Sequence, residues 1–299
     1  MINSSFTLSV IIVSYNTAQV TEDCLKSVYQ SLPDTSIYEI IVIDNASTDQ
    51  SLDMLRSFKK RYTNFVLVEN KENIGFGKAN NQGVKIARGK YILLLNSDTL
   101  ILHNAVIKLL EFYQKNEEHV HFLAPKLRNK DLSPQPSCGP FYTPAIVFGA
   151  LFLKGDYWGL TRESPTKFRR VDWVSGACIL TTRKHYSKVG GFDEQIFMYM
   201  EEIDLLYRAK KMGLDTYIYP EAQIIHLGSA SSNGKSYPII QVYKGFIYFY
   251  KKHYPPLSMF LLKVMLQFKA LSAIAIGRIL RNAYLINTYE KAYRIAQMD

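Results

Sequence analysis

The first hundred residues alternate between short aliphatic runs and longer amphipathic stretches. Three of the stretches have helical spacing, at 21–31, 51–61 and 77–88, and Thr21 is a candidate N-cap of the first. Four runs are almost entirely hydrophobic, as in strands buried on both faces. These runs are 8–13 (LSVIIV), 39–43 (EIIVI), 65–68 (FVLV) and 91–95 (YILLL). Alternating strands and helices with short links predict a parallel, doubly wound α/β sheet.

Polar segments follow three of the predicted strands. Residues 14–16 (SYN) follow the first, 44–49 (DNASTD) the second and 96–98 (NSD) the fourth. In such sheets ligands bind at the carboxyl ends of the strands. Asp, Asn and Ser also form turns and helix caps, but three such segments at one edge favour a ligand site.

The second half of the chain is less regular. Six prolines interrupt 121–170, which we expect to be a long, loose insertion that either covers a site or is a plain surface excursion. Residues 171–183 predict a strand, and 214–219 and 224–226 predict two more. A helix begins near Glu201, and acidic residues in a first turn can simply stabilise the helix dipole.

Charge is concentrated near the C-terminal end. The 299 residues carry a net charge of +10, of which +8 lies in 234–299, and this suggests nucleic acid or acidic lipid as a partner. A hydrophobic content of 47% excludes a disordered or fibrous chain. Three scattered cysteines exclude a disulfide framework, and the N-terminus lacks the features of a signal peptide. We therefore expect an intracellular protein with reduced thiols.

Four ordered motifs between residues 8 and 228 resemble those of family 2 glycosyltransferases, most closely the bacterial rhamnosyltransferase-like branch. They are VIIVSYN at 10–16, VIDNASTD at 42–49, NIGFGKANNQG at 73–83 with LLLNSDT at 93–99, and GGFDEQIFMYMEEIDLLYRAKKMG at 190–213 followed by His226. The resemblance implies a GT-A fold, which is α/β with a Rossmann-like, mostly parallel central sheet flanked by helices. It implies a catalytic domain over 1–236, divided into a nucleotide-sugar half (1–120) and an acceptor half (121–236). Residues 237–299 would form a basic, helical C-terminal extension.

The resemblance also assigns the catalytic groups. A divalent Mg²⁺ or Mn²⁺ would neutralise the donor diphosphate, with Asp98 and His226 as its ligands. The usual Asp-x-Asp motif reads Asn96-Ser97-Asp98 here, so its first acid is an amide. Glu202 takes the position of the general base, and Glu201 precedes it. Adjacent helical side chains point about 100° apart, so they are not expected to reach one spot.

The remaining candidates fall into two groups. On the nucleotide and donor side, the resemblance gives Ser14, Tyr15, Asn16, Asp44, Asn45, Ser47, Asn73, Gly75, Asn80, Asn81, Asn96, Ser97 and Asp98. On the sugar and acceptor side, it gives Trp173, Gly176, Ala177 and Asp204. Asp204 is alternatively an acid of the helix start that braces a loop.

The predicted activity is inverting transfer of a sugar from a nucleotide diphosphate donor to a cell-surface or lipid-linked glycan, with dTDP-rhamnose as the favoured donor. A sugar nucleotidyltransferase is one alternative, but the first strand is not followed by a basic glycine-rich loop. A catalytically inactive glycan-binding protein is another, because Asn96 and Glu202 depart from the family pattern. Nucleic-acid binding has no recognition motif to support it.

Residues 257–280 form an apolar segment long enough to span a bilayer. Lys263, Lys269 and Arg278 interrupt it, and a cation at the centre of a span is unfavourable. The basic charge favours a helix lying on an anionic membrane, which would place the enzyme peripherally on the cytoplasmic face. Packing on the protein, including a homodimer through the C-terminal helices, is the alternative.

Overall fold

A nine-stranded sheet forms the centre of the protein in a computed structural model that describes residues 6–228 and 236–298. The strands are β1 (Leu8–Ser14), β2 (Tyr38–Asp44), β3 (Phe65–Glu69), β4 (Tyr91–Asn96), β5 (Thr99–Ile101), β6 (Phe122–Arg128), β7 (Cys138–Gly139), β8 (Arg169–Val171), β9 (Trp173–Val174), β10 (Cys178–Thr182) and β11 (Thr216–His226). The helices are α1 (Ala18–Ser31), α2 (Ser51–Arg61), α3 (Phe76–Ile86), α4 (Ala105–Lys115), α5 (Pro144–Phe152), α6 (Arg183–Val189), α7 (Glu201–Lys211), α8 (Ser236–His253), α9 (Pro256–Ile279) and α10 (Ala283–Gln297).

The strand order of the main sheet is β3-β2-β1-β4-β10-β6-β11-β5, with β8 paired to β11, and β7 and β9 form a separate small sheet. The first four strands in this order are mutually parallel, whereas β10 runs antiparallel to both of its neighbours. Neighbouring residues of one strand enter different cores, Ile11 on one face and Val10 on the other. Burial on both faces explains why these runs are almost entirely hydrophobic.

Several local predictions were wrong. Thr21 does not cap α1, which begins three residues earlier, and its buried hydroxyl lies 3.0 Å from that of Thr17. The single strand predicted over 171–183 is divided among β8, β9 and β10, because its parts pair with different strands: β8 with β11, β9 with β7, and β10 with β4 and β6. The two strands predicted over 214–226 are one strand, β11, with an irregularity between Tyr219 and Gln223.

The interpretation of 121–170 as a loose insertion was wrong at its start. Residues 122–128 form β6, which is buried in the main sheet between β10 and β11. Pro125 lies in this strand opposite Tyr219, where the register of β11 shifts. Proline is tolerated in sheets at such irregularities, so Pro125 does not end the strand.

The C-terminal helices share a core with the sheet. Phe249 and Tyr250 of α8 and Leu262 and Leu266 of α9 are fully buried and belong to the same hydrophobic cluster as Ile11. The predicted boundary at 236/237 coincides with the start of α8, although the division into domains stays a prediction. The parts of the predicted ranges at 1–5, 229–235 and 299 lie outside the described residues.

A buried ionic cluster joins α7 to α8. The Asp204 carboxylate has no exposure and accepts hydrogen bonds from Arg208 Nε (2.7 Å), Lys252 Nζ (2.8 Å) and His253 Nε2 (2.6 Å). Burial alone would raise the pKa of Asp204. Hydrogen bonds and charge from His253, Arg208 and Lys252 outweigh it and lower that pKa to about 2.

Asp204→Asn should destabilise the protein by about 3–5 kcal/mol at neutral pH, because it removes the buried anion on which Arg208 and Lys252 converge. The lowered pKa adds a pH dependence: the stabilisation is present above the ordinary pKa of 3.8 and is lost as the pH falls toward 2. Urea unfolding monitored by circular dichroism measures both. The control is Asp53→Asn, an 88% exposed carboxylate 3.8 Å from Arg56, which should change stability by less than about 1 kcal/mol. Equal effects of the two substitutions would contradict the role of the cluster.

Candidate active site

The polar end of β4 opens into a cavity of about 350 Å³, here called the strand-end cavity, whose described lining includes none of residues 14–16 or 44–49. Its lining brings together side chains from both halves of the chain: Asn96, Ser97 and Asp98 after β4, Gly176 and Ala177 before β10, Glu201 and Glu202 of α7, and His226 at the end of β11. The sheet therefore brings together residues that are up to 130 positions apart in the sequence, as Asn96 and His226 are. This cavity contains the candidate metal ligands and the candidate base.

Asp98 and His226 face each other. Asp98 Oδ1 lies 3.3 Å from His226 Nε2. Gln135 fixes the tautomer of the His226 ring. Its amide nitrogen donates to two oxygens, the backbone carbonyl of His226 and Oδ1 of Asn129. The amide oxygen of Gln135 must then accept from His226 Nδ1, 2.9 Å away. In the neutral ring, Nε2 therefore presents a lone pair toward the Asp98 carboxylate.

Two lone-pair donors in contact favour a cation between them. Asn96 adds a third group, because its Oδ1 is buried without a hydrogen-bond partner while its Nδ2 lies 3.5 Å from His226 Nε2. Carboxylate, amide oxygen and imidazole are donors suited to Mn²⁺, and the oxygens also suit Mg²⁺. Within the described residues no three His, Cys, Asp or Glu side chains are grouped to hold a metal alone. Mg²⁺ commonly completes such a site with substrate phosphates and water, so these residues fit the predicted ion.

Glu201 and Glu202 begin α7, directly after Tyr199 and Met200, which both have positive φ. One carboxylate oxygen of each, Oε2, is buried without a hydrogen-bond partner. Burial raises the pKa of Glu201 well above its usual value, and the neighbouring Glu202 charge raises it further. Burial also raises the pKa of Glu202, and the charge of Arg162 acts against this shift. Both residues line the strand-end cavity at the N-terminal end of α7.

The loops after β1 and β2 form the predicted nucleotide side. Asp44 Oδ2 accepts from Ser47 N (3.0 Å), whereas Asp44 Oδ1 is buried without a partner. Asn16 N donates to Ser47 Oγ (3.0 Å), and Asn16 Oδ1 accepts from Thr48 N (2.7 Å). Ser14 is buried with its hydroxyl 3.2 Å from that of Thr21, and Tyr15 is half-buried. Asp44 Oδ1 is therefore available to accept a hydrogen bond from a ligand.

Asn45 and Asn73 support the neighbouring loop. Asn45 Nδ2 donates to Asn73 Oδ1 (2.8 Å), which also accepts from Gly75 N (3.0 Å). Gly75 has a φ of 88°, and a Cβ there would lie 2.8 Å from Phe197 O. Only glycine fits this position without strain. These three residues shape the loop before α3.

Asn80 and Asn81 also bond within the protein. Asn80 Nδ2 donates to Phe76 O (3.0 Å). Asn81 Oδ1 accepts from the Tyr186 hydroxyl (2.6 Å) and from Phe192 N (3.0 Å). These contacts hold α3 against the segment that leads to α7, and the described lining of the strand-end cavity includes neither residue.

The predicted acceptor-side residues separate into two pairs. Gly176 and Ala177 line the strand-end cavity. Trp173 is fully buried, with its indole Nε1 donating to Pro140 O (2.8 Å), and Asp204 is enclosed in the ionic cluster with α8. Neither Trp173 nor Asp204 belongs to the described lining of the cavity.

Arg162 and Gln135 line this region but were not predicted. Arg162 borders the strand-end cavity, and Gln135 orients His226. Both come from the segment 121–170, whose prolines indicated an irregular surface. Sequence reasoning had no periodicity or motif there from which to place a side chain.

The comparisons with known proteins identify the family. Residues 9–174 match the model of glycosyl transferase family 2, and the chain belongs to that family. Over 249 residues it is 28% identical to N-acetylglucosaminyl-diphospho-decaprenol L-rhamnosyltransferase of Mycobacterium tuberculosis, covering 76% of this chain and 78% of the relative. This places it with the rhamnosyltransferase-like branch, as predicted. Poly(ribitol-phosphate) beta-glucosyltransferase of Bacillus spizizenii is 37% identical over 114 residues, which cover 38% of this chain and only 18% of that longer protein.

A solved structure confirms the fold class. Mannosyltransferase PcManGT from Pyrobaculum calidifontis, in complex with GDP-Man and Mn²⁺, superposes with a TM-score of 0.57 over 97% of this chain and 85% of that one, at 17% identity. The chain therefore has the GT-A fold of a glycosyltransferase, with a helical C-terminal region added.

Glu201→Gln should raise stability at neutral pH in the presence of a chelator. A carboxyl group with a raised pKa in the folded state lowers the stability of the protein as the pH rises above the pKa of the unfolded state, near 4.5. The glutamine amide of the variant cannot ionise and so avoids this loss. The charged groups acting on Glu201 are Glu202 and, through Glu202, Arg162. Melting temperatures of variant and wild type should coincide near pH 4.5 and diverge toward pH 8. The exposed Glu118→Gln is the control, and parallel curves for wild type and Glu201→Gln would contradict the prediction.

Proposed function

We propose that the protein is an inverting glycosyltransferase that moves a sugar from a nucleotide diphosphate donor to a lipid-linked glycan. The observation that carries this proposal is the convergence of Asp98, His226 and Glu202 on the strand-end cavity. This cavity combines groups suited to holding a diphosphate-bound cation with a carboxylate suited to accepting a proton.

In the proposed reaction an acceptor hydroxyl attacks the anomeric carbon of the donor. The new carbon–oxygen bond forms as the bond to the diphosphate breaks, and the nucleoside diphosphate leaves with the electron pair. Glu202 takes the hydroxyl proton at its carboxylate. Its raised pKa brings it closer to neutral pH, where a general base is most effective.

Asp98 and His226 would hold Mg²⁺ or Mn²⁺, with the Asn96 amide oxygen beside them. When bound, the ion supplies positive charge against the diphosphate. Asp44 would hold the nucleoside through its free Oδ1, by accepting a hydrogen bond from the base or ribose. In this proposal the nucleoside would lie near β2 and the diphosphate near β4, two strands that are separated by β1 in the sheet.

The donor we favour is dTDP-rhamnose, and the acceptor a sugar carried on a lipid diphosphate. Support comes from the relative of Mycobacterium tuberculosis, whose name states both a rhamnosyl product and a diphospho-decaprenol acceptor. A panel of dTDP-, UDP- and GDP-sugars, assayed by thermal stabilisation with and without Mn²⁺, tests the donor. Stabilisation by dTDP-rhamnose that depends on Mn²⁺ is expected. No stabilisation by any member of the panel would overturn the proposed function.

Glu202→Gln should lower kcat by about 10²–10⁴, because the amide cannot accept a proton, while the affinity for the donor is retained. Turnover in a radiolabelled transfer assay and donor affinity by calorimetry separate the two effects. Glu201→Gln is the matched comparison, since it makes the same change one residue earlier. Near wild-type turnover in Glu202→Gln together with loss in Glu201→Gln would assign the base to Glu201.

We also propose that α9 docks on an anionic membrane surface at the cytoplasmic face. By length and composition α9 could cross a bilayer, but 22% of its most apolar window is buried in the protein. The buried stripe includes Leu262, Leu266 and Ala270. Lys269 Nζ donates to Leu151 O at 2.9 Å, which further ties this helix to α5. A helix packed along one stripe is better suited to lie at the interface than to span it.

The outward stripe of α9 is apolar. Leu257, Phe260 and Val264 are 70%, 62% and 47% exposed at helical spacing. Trp158, in the segment after α5, is 68% exposed. Apolar side chains beside a basic region match the surface of a leaflet with anionic headgroups. Docking there would confine the enzyme to the plane of a lipid-linked acceptor.

The triple substitution Leu257→Gln, Phe260→Gln and Val264→Gln should reduce binding to phosphatidylglycerol-containing vesicles by at least about tenfold, because it removes the inserted apolar area. Co-sedimentation with anionic and neutral vesicles measures this, and added salt should weaken wild-type binding. The matched control replaces the exposed Ile37, Ile86 and Met212 by Gln. Negligible wild-type binding to both vesicle types would contradict docking. A concentration-dependent dimer that the α9 substitutions disrupt would assign the stripe to a second copy.

A further inference from the structure

Arg162 lies where two cavities meet. It comes from the segment between α5 and β8 and lines the strand-end cavity. It also lines a neighbouring cavity of about 340 Å³, here called the side cavity, whose other residues include Gln135 and Asp156. Ser175, His226 and Gly228 border both cavities. A guanidinium at this junction reaches any ligand that extends from one cavity into the other.

An aromatic ring holds Arg162 in place. Its Cζ lies 5.2 Å from the centre of the Trp173 ring. Trp173 is itself immobilised, since it is fully buried, donates to Pro140 O and stacks on Tyr142 with 5.8 Å between ring centres. Stacking on a fixed ring orients a guanidinium without using any of its N–H donors. The donors stay available for a ligand.

The described part of the chain offers no partner to Nε of this guanidinium. Nε of Arg162 is buried and has no hydrogen-bond partner. Among residues 6–228 and 236–298, no carboxylate forms an ion pair with Arg162. The charge of Arg162 acts to lower the pKa of Glu202, although the two side chains form no ion pair. A buried cationic N–H group without an acceptor destabilises the folded protein. A bound anion would supply the missing acceptor.

We propose that Arg162 binds a substrate diphosphate, as a positive group supplied by the protein in addition to the metal ligands. This inference rests on the proposed function. A guanidinium binds phosphate oxygens through two parallel N–H bonds, and its position beside His226 and Ser175 places it next to the candidate metal pair. Two sources supply a diphosphate here, the leaving group of the nucleotide donor and the lipid diphosphate of the acceptor.

Calorimetry with the full-length protein and Mn²⁺ tests the proposal and separates the two sources. The probes are inorganic diphosphate, thymidine diphosphate, farnesyl diphosphate and thymidine, and the variants are Arg162→Gln and Arg162→Lys. The control is Arg170→Gln, which makes the same change at an exposed residue of the same segment. Arg162→Gln should weaken the binding of inorganic diphosphate roughly tenfold to a hundredfold, which is the loss of affinity expected when a charged hydrogen bond is removed. Arg162→Lys should recover part of the affinity, because it keeps the charge without the paired geometry.

The other probes identify the source. Beside the loss for inorganic diphosphate, a loss for thymidine diphosphate but not for farnesyl diphosphate assigns Arg162 to the donor, and the reverse result assigns it to the acceptor. Thymidine affinity should be the same in wild type and Arg162→Gln. Changes within twofold for all three diphosphates, or an equal loss for thymidine, would overturn the proposal. The proposed function fails separately, if the wild type binds these probes but transfers no sugar from the donor panel.

Discussion

The parallel pairing of β1 with β2 and β4 is the constraint on which the candidate site depends. In-register pairing places Ser14 opposite Asp44 and Val13 opposite Asn96, so three polar segments end at one edge of the sheet. The strands end in the polar residues Ser14, Asp44 and Asn96, and most of the residues before these ends are hydrophobic. They are buried on both faces, and this burial fixes the register, because a slip of one residue would exchange the two cores.

The candidate acids Glu201 and Glu202 occupy a second element that the sheet does not position by itself. Helix α7 presents Glu201 and Glu202 from its first turn, where burial is unfavourable for carboxylates. The same first turn buries Asp204 with three hydrogen-bond partners. One turn of α7 therefore combines two carboxylates in unfavourable surroundings with a third that is strongly bound and holds the helix in place. Functional sites commonly depend on such support from their surroundings.

The sequence was informative where one physical requirement dominated. Continuous burial made β1, β2 and β4 recognisable, and the helix over 51–61 has the predicted bounds, because its amphipathic pattern is uninterrupted. Thr21 was misassigned because a threonine at a predicted helix start was taken as its cap, whereas α1 begins one turn earlier. The division of 171–183 among three strands depends on distant partners, which no local pattern records. For the same reason Arg162 and Gln135 were missed, while Asp98 and His226 were found through motifs.

The ionic cluster around Asp204 also has a consequence for the order in which the chain acquires its structure during synthesis. Asp204 and Arg208 leave the ribosome together, but Lys252 and His253 follow more than forty residues later. Until then the Asp204 carboxylate has one of its three hydrogen-bond partners, and full burial of α7 is unfavourable. The strands β1 to β4 can pair early, whereas the acidic first turn of α7 is fully held only once α8 has been made. A nascent chain arrested before residue 252 would thus contain the loops after β1 and β2 but lack two of the contacts that hold the first turn of α7.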